Sequence, residues 1–125
     1  MDEVVILHKT ILILAGIVIA STLVLTGCST NTNASPETTR LAKCLTEEEF
    51  TMYGAEWCPH CQEQKQRFGS AFKHVNYVDC ERQNSKCEEA GVEGIPMWTD
   101  GETRLSGTQP LERLAQVSDC NYSAS

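Results

Sequence analysis

Positive charge is scarce in this chain. Ten Lys and Arg stand against seventeen Asp and Glu, leaving a formal net charge of −7. Nucleic acid requires a clustered basic face and anionic lipid a polybasic patch, so the composition excludes both as electrostatic partners. The acidity reads simply as solubility. Length is short as well: 125 residues hold one domain, and setting aside an N-terminal targeting segment leaves about one hundred, enough for one modest core. A second closely spaced cysteine pair is also missing. Cys58 and Cys61 are three positions apart, but six residues separate Cys80 from Cys87, where a zinc ribbon or knuckle has two to four. Zinc held by these four cysteines is therefore disfavoured, and neither a metal nor another cofactor is expected.

Cysteine itself is plentiful. Seven in a chain this short are too many for a reducing cytosol and imply an oxidising compartment. An odd count in an exported protein leaves one cysteine to be explained. Residues 1–28 supply an explanation: Lys9 precedes the apolar run 11–26, and the segment ends in Leu25-Thr26-Gly27-Cys28, the shape of a secretory signal. Those last four residues resemble the lipobox of bacterial lipoproteins, in which the cysteine is lipidated and becomes the new N-terminus. Asp2 and Glu3 depart from the usual basic start. The alternative is an uncleaved anchor, lengthened by residues 4–7 but interrupted by His8 and Lys9. Either arrangement places the rest of the chain outside the cytoplasm, held to the membrane by a lipid on Cys28 or by an N-terminal helix. Six cysteines then remain for up to three pairs: Cys58 with Cys61 by spacing, Cys80 with Cys87 because they flank one short loop, and Cys44 with Cys120 by elimination.

Residues 29–39 are rich in Ser, Thr and Asn without apolar periodicity, the composition of a flexible tether. Residues 40–122 form the expected domain. Leu41 and Leu45, four apart among helical residues, predict a leading helix from Glu37 that ends before Glu49, with Glu47-Glu48-Glu49 as a solvated loop. A strand over 50–54 precedes a helix opening at the Cys58–Cys61 pair. Alternation over 74–79 predicts a second strand, and a brief helix over 84–90 is closed by Gly91. Strands 97–99 and 103–105 about Asp100-Gly101 predict a hairpin. A final helix from Pro110 carries Leu111, Leu114 and Val117 on one face. This order is an α/β plan, a central mixed sheet with helices on both faces.

The chemistry centres on Phe50-Thr51-Met52-Tyr53-Gly54-Ala55-Glu56-Trp57-Cys58-Pro59-His60-Cys61. Two cysteines at i and i+3 where a helix begins share one face and can form a disulfide with little backbone movement. Unsatisfied N–H groups and the positive end of the helix dipole favour a thiolate at the first of them, and thiolate is the nucleophile. Pro59 suits the first turn, where its missing N–H is harmless. Cys58 is thus the expected nucleophile, exposed at the helix start, and Cys61 the residue that resolves the mixed disulfide. His60 can support the Cys58 thiolate, favouring the reduced form and making the pair more oxidising. A structural disulfide is the bland reading of the same motif, but so small a loop stabilises little.

Tyr53-Gly54-Ala55-Glu56-Trp57-Cys58-Pro59-His60-Cys61 resembles a thioredoxin-fold active site, and Gly91-Val92-Glu93-Gly94-Ile95-Pro96 resembles that fold's cis-proline loop. With Tyr77-Val78-Asp79-Cys80 and Cys87-Glu88-Glu89-Ala90-Gly91, the run is similar to the thioredoxin-like domain fused to bacterial homologues of vitamin K epoxide reductase. The resemblance implies that Pro96 follows a cis bond beside the disulfide and keeps metal from the site. It also implies that the Ile95 backbone pairs with the substrate chain. Trp57 is expected to shield the disulfide and to offer substrate an apolar contact. The Pro-His dipeptide resembles that of periplasmic dithiol oxidases. Where thioredoxins carry a buried aspartate, six residues before the nucleophile, this chain has Met52. Glu56, the nearest carboxylate, is expected to be solvated on its turn.

The expected function is a membrane-tethered, extracytoplasmic thiol–disulfide oxidoreductase, monomeric, passing disulfides from a membrane oxidase such as a vitamin K epoxide reductase homologue to exported cysteine-containing proteins. A reductase or isomerase fed by a membrane electron carrier uses the same residues in the other direction. A metal-binding lipoprotein handling copper or zinc through Cys58 and Cys61 is the reading from a different class.

Overall fold

A computed structural model describes residues 33–123. The signal or anchor segment, the start of the tether and Cys28 lie outside the described residues. Helix α1 (Pro36–Glu47) begins inside the stretch expected as tether. Local chemistry explains the early start: the Ser35 side chain accepts a hydrogen bond from Thr38 N, and Pro36 occupies the first helical position, where no N–H is needed. The helix predicted from Leu41 and Leu45 is present within a residue or two of its expected ends, and Leu41, Ala42 and Leu45 are fully buried on one side of it.

Four strands form one mixed sheet in the order β2-β1-β3-β4, with β1 Thr51–Gly54, β2 Asn76–Asp79, β3 Met97–Thr99 and β4 Arg104–Ser106. β1 runs parallel to β2, with Thr51 opposite Asn76 and Gly54 opposite Asp79. Parallel neighbours need a crossover, which α2 (Pro59–Phe68) and a 3₁₀ segment (Gly69–His74) provide. β3 is antiparallel to both β1 and β4. Met52 pairs in register with Trp98, and both are fully buried on the face that packs with Leu41 and Leu45 of α1, Phe68 of α2 and Leu114 of α4 (Leu111–Val117). The short α3 (Asn84–Glu89) ends at Ala90, followed by Gly91 at φ +64°, a left-handed position that glycine takes without strain.

Two strands differ from the sequence reading. His74 and Val75 do not belong to β2: the 3₁₀ segment runs through His74, and Val75 N donates to Phe72 O. The Thr46 hydroxyl then bridges the junction, donating to His74 O and accepting from Asn76 N. In the hairpin, Met97 faces Ser106 and Thr99 faces Arg104, so the connection spans four residues, 100–103, one more than the three left between the expected strands 97–99 and 103–105. The cause is Asp100, whose Oδ1 accepts from the backbone N–H groups of Glu102 and Thr103 and withdraws Thr103 from the strand.

Two disulfides brace this frame. Cys44 in α1 is joined to Cys120 beyond α4, and Cys80 after β2 is joined to Cys87 in α3.

Candidate active site

Strand β1 runs straight into the dithiol. At its end Gly54 O accepts from Cys80 N, and Cys58 N donates to Ala55 O in the tight turn that follows. The turn brings Cys58 to the N-cap of α2, with extended backbone (φ −82°, ψ 114°) and Pro59 in the first turn. The Cys58 sulfur performs the capping: Cys61 N donates to Cys58 Sγ at 3.2 Å. This is the orphan-donor geometry that favours negative charge on a capping atom. Cys58 and Cys61 are both free thiols.

Exposure differs from the sequence reading. Cys58 is only 4% exposed, because its sulfur turns inward to cap the helix and lies under the Ile95 carbonyl, 3.9 Å away. The Ile95–Pro96 bond is cis. Cys61 is fully buried one turn inside. Burial first, then hydrogen bonding with Cys58, push its thiol up to about 12. The Cys61 sulfur lies against Gly54, where a Cβ would approach it to 3.1 Å, so a side chain at this position would collide with the dithiol floor.

Around the sulfurs, Trp57 is 69% exposed, and among the described residues it stands out as a large apolar side chain in solvent. It adjoins Cys58 in the chain and leaves most of its apolar surface open. His60 is also outward, its side chain 75% exposed, with Nδ1 3.6 Å from Glu63 Oε2. Glu63 is held below the usual carboxylate range, by Arg67 above all and by His60. Glu56 pairs with Lys65 at 3.0 Å and is largely solvated.

Four residues to which the sequence reading gave no role belong to the site's surroundings: Gln64, Thr108, Lys65 and Tyr77. Gln64 is fully buried, and its Oε1 accepts from Gln109 N (2.6 Å) and Trp98 Nε1 (3.4 Å) while its amide donates to Gln109 O. The Thr108 hydroxyl donates to His60 O in the first turn of α2. Gln64 stands three residues after Cys61 and four before Phe68, so helical spacing from the buried cysteine was the signal available. Lys65, four after Cys61, lies over the Tyr77 ring at 4.2 Å from its centroid. The Tyr77 hydroxyl is buried without a hydrogen-bond partner among the described residues.

Cys80 and Cys87 are consumed by their own disulfide, and among the described residues no three His, Cys, Asp or Glu side chains gather into a metal-sized cluster.

No family model matches the chain. Thiol-disulfide oxidoreductase LTO1 of Arabidopsis thaliana is 39% identical to it over 70% of this chain. The match spans about a quarter (26%) of that relative's length. Among solved structures, a thioredoxin from Nicotiana alata covers 54% of this chain and 67% of its own length, with 18% identity and a TM-score of 0.44, too distant to weigh here. The mixed four-stranded sheet with its flanking helices agrees with the α/β plan expected from the sequence, and the chain is similar in sequence to a part of a thiol-disulfide oxidoreductase.

Proposed function

We propose that the chain is a thiol–disulfide oxidoreductase working through Cys58 and Cys61, tethered at the outer face of a membrane and exchanging disulfides with exported cysteine-containing proteins. One observation carries the reading: the Cys58 sulfur caps α2 by accepting the Cys61 N–H, while the buried Cys61 waits one turn inside. An N-cap sulfur is stabilised as the thiolate, and a buried partner reacts only after the first sulfur has engaged a substrate. A substrate chain would lie along Ile95 and Pro96 and rest on the exposed Trp57. His60 would lend positive charge to the first turn, and Cys28 would carry the lipid. The membrane partner would be an oxidase of the vitamin K epoxide reductase type. The disulfide between Cys80 and Cys87 removes those sulfurs from any four-cysteine metal site, which favours exchange over metal handling.

The test is the redox state of Cys58 and Cys61 in cells, trapped by thiol alkylation with and without the membrane oxidase. An oxidised pair that becomes reduced when the oxidase is removed supports the proposal. A pair that stays reduced in both backgrounds turns the reading into a reductase. In parallel, Cys61→Ser should accumulate mixed disulfides at Cys58 with exported proteins, and Cys28→Ala should abolish lipid labelling.

A further inference from the structure

The Tyr77 hydroxyl is a buried polar atom with no partner among the described residues. Leaving such a group unsatisfied costs about 1 to 3 kcal/mol, so its presence calls for a reason. Its surroundings supply one. A Cβ built on Gly54 would sit 3.1 Å from Cys61 Sγ and 3.3 Å from Tyr77 Oη, so the thiol and the hydroxyl both lie against the same glycine. Glycine leaves the space between them open. The charged and titratable groups around the ring are Lys65 of α2, whose ammonium lies over it, Glu56 of the preceding turn, which holds that ammonium, Asp79 of β2, and the two cysteines. The phenol is held well above its usual range, chiefly by burial and then by Asp79, so it keeps its proton.

We propose that Tyr77 is a catalytic hydrogen-bond donor to the Cys61 thiolate, with Lys65 as the positioning residue that holds its ring. This deepens the dithiol-exchange reading and rests on it. When a substrate thiolate attacks Cys58 Sγ, a substrate–Cys58 bond forms, the Cys58–Cys61 bond breaks, and the electron pair goes to Cys61 Sγ. That sulfur becomes an anion in a site without exposure. The Tyr77 O–H, unpaired while Cys61 is a thiol, turns a short distance and donates to it, a donor aimed where charge develops. The second substrate thiol gives up its proton, which ends on Cys61 Sγ, and the thiolate so formed attacks the substrate sulfur of the mixed disulfide and releases Cys58 as a thiolate. The substrate dithiol is oxidised and the protein disulfide reduced. In reverse, the same donor stabilises the Cys61 thiolate that opens a mixed disulfide. The role needs no carboxylate at position 52, where this chain has Met.

The test is Tyr77→Phe, which deletes only the hydroxyl and keeps the ring and its Lys65 contact. Two rates are compared with glutathione as the probe. Opening of the oxidised protein by reduced glutathione expels Cys61, and should slow roughly tenfold or more in the variant. Attack of Cys58 on oxidised glutathione, measured in a Cys61→Ser background, does not involve Cys61 and should change less than about twofold on the same reasoning. Lys65→Met should slow only the first rate. The melting temperature of Tyr77→Phe should equal or exceed that of the parent. An unchanged opening rate, or an equal fall in both rates, overturns the proposal. Absence of any exchange in the parent chain would instead overturn the oxidoreductase reading itself.

Discussion

Breaking the two structural disulfides one at a time should reveal very different staples. Cys44 and Cys120 are 76 residues apart, Cys80 and Cys87 only 7. A crosslink stabilises chiefly by restricting the unfolded chain, and the chain-entropy relation gives about 4.5 kcal/mol for the long loop and about 2.5 kcal/mol for the short one. In a domain this size 1 kcal/mol moves the melting temperature by roughly 4 to 8 °C, so Cys44→Ala/Cys120→Ala should lose some 20 °C or more. Cys80→Ala/Cys87→Ala should lose about half as much on the same scale. The native contacts of α1 do not depend on the bond, because Leu41, Ala42 and Leu45 remain buried against the sheet. The long-loop variant should therefore fold to the same structure, with a steeper dependence on denaturant as its unfolded state opens further. Urea titrations of both variants, alongside the parent chain, measure midpoint and slope together. A larger loss from the short staple than from the long one would refute the loop-entropy argument and locate the stabilisation in the native state around α3.

Three further outcomes follow from the site. His60 is exposed and directed at Glu63, so His60→Ala should make the reduction potential more negative by no more than about 20 mV, the equivalent of a surface interaction below 1 kcal/mol; equilibration with glutathione would show it, and a shift several times larger would mean that the imidazole acts on Cys58 directly. Folding raises the Cys61 pKa from 9.0 to about 12, so the folded state holds this proton more tightly than the unfolded chain. That stability is complete below the unfolded value and is lost as pH rises from 9.0 toward about 12, by up to about 1.4 kcal/mol per pH unit. Denaturation of the reduced parent and of Cys61→Ser at about pH 8 and about pH 10 isolates the effect, since Tyr77 is common to both, and parallel curves would refute it. Gly54→Ala would place a methyl 3.1 Å from both Cys61 Sγ and the Tyr77 ring, and should destabilise the reduced protein by about 1 to 3 kcal/mol while impairing exchange, as thermal melts and glutathione turnover would record.

Much of this arrangement was legible in the chain. The Cys58–Cys61 pair at a helix start and the strand before it answer to local rules about helix termini and strand patterning, whereas the cis bond before Pro96 was implied by the resemblance. The hairpin length was not legible, since Asp-Gly invites a tight turn and only the folded chain shows Asp100 capturing two N–H groups. The 3₁₀ segment escaped for a similar reason: the Thr46 hydroxyl that secures its end comes from α1, some thirty residues earlier in the chain (|i−j| of 28 and 30). Burial of Cys58 was hidden too. A helix start is ordinarily exposed, and only the docking of the Ile95–Pro96 segment covers it. Tyr77 read as one more alternating strand residue, because its unpaired hydroxyl is a property of three dimensions.

The buried Gln64 carries an implication for how this sequence can change. Its amide is shared by the helix bearing the dithiol, the indole of β3 and the backbone of the loop before α4. Replacing Gln64 alone strands Trp98 Nε1 and the Gln109 N–H in the interior, whereas reshaping the loop alone strands the amide. Groups in one such network do not respond independently, so substitutions here should be strongly epistatic. Because Thr108 in the same loop binds the first turn beside Cys61, drift in this loop is transmitted to the dithiol. Helix and loop, 45 residues apart in the chain, are therefore bound to evolve as one unit.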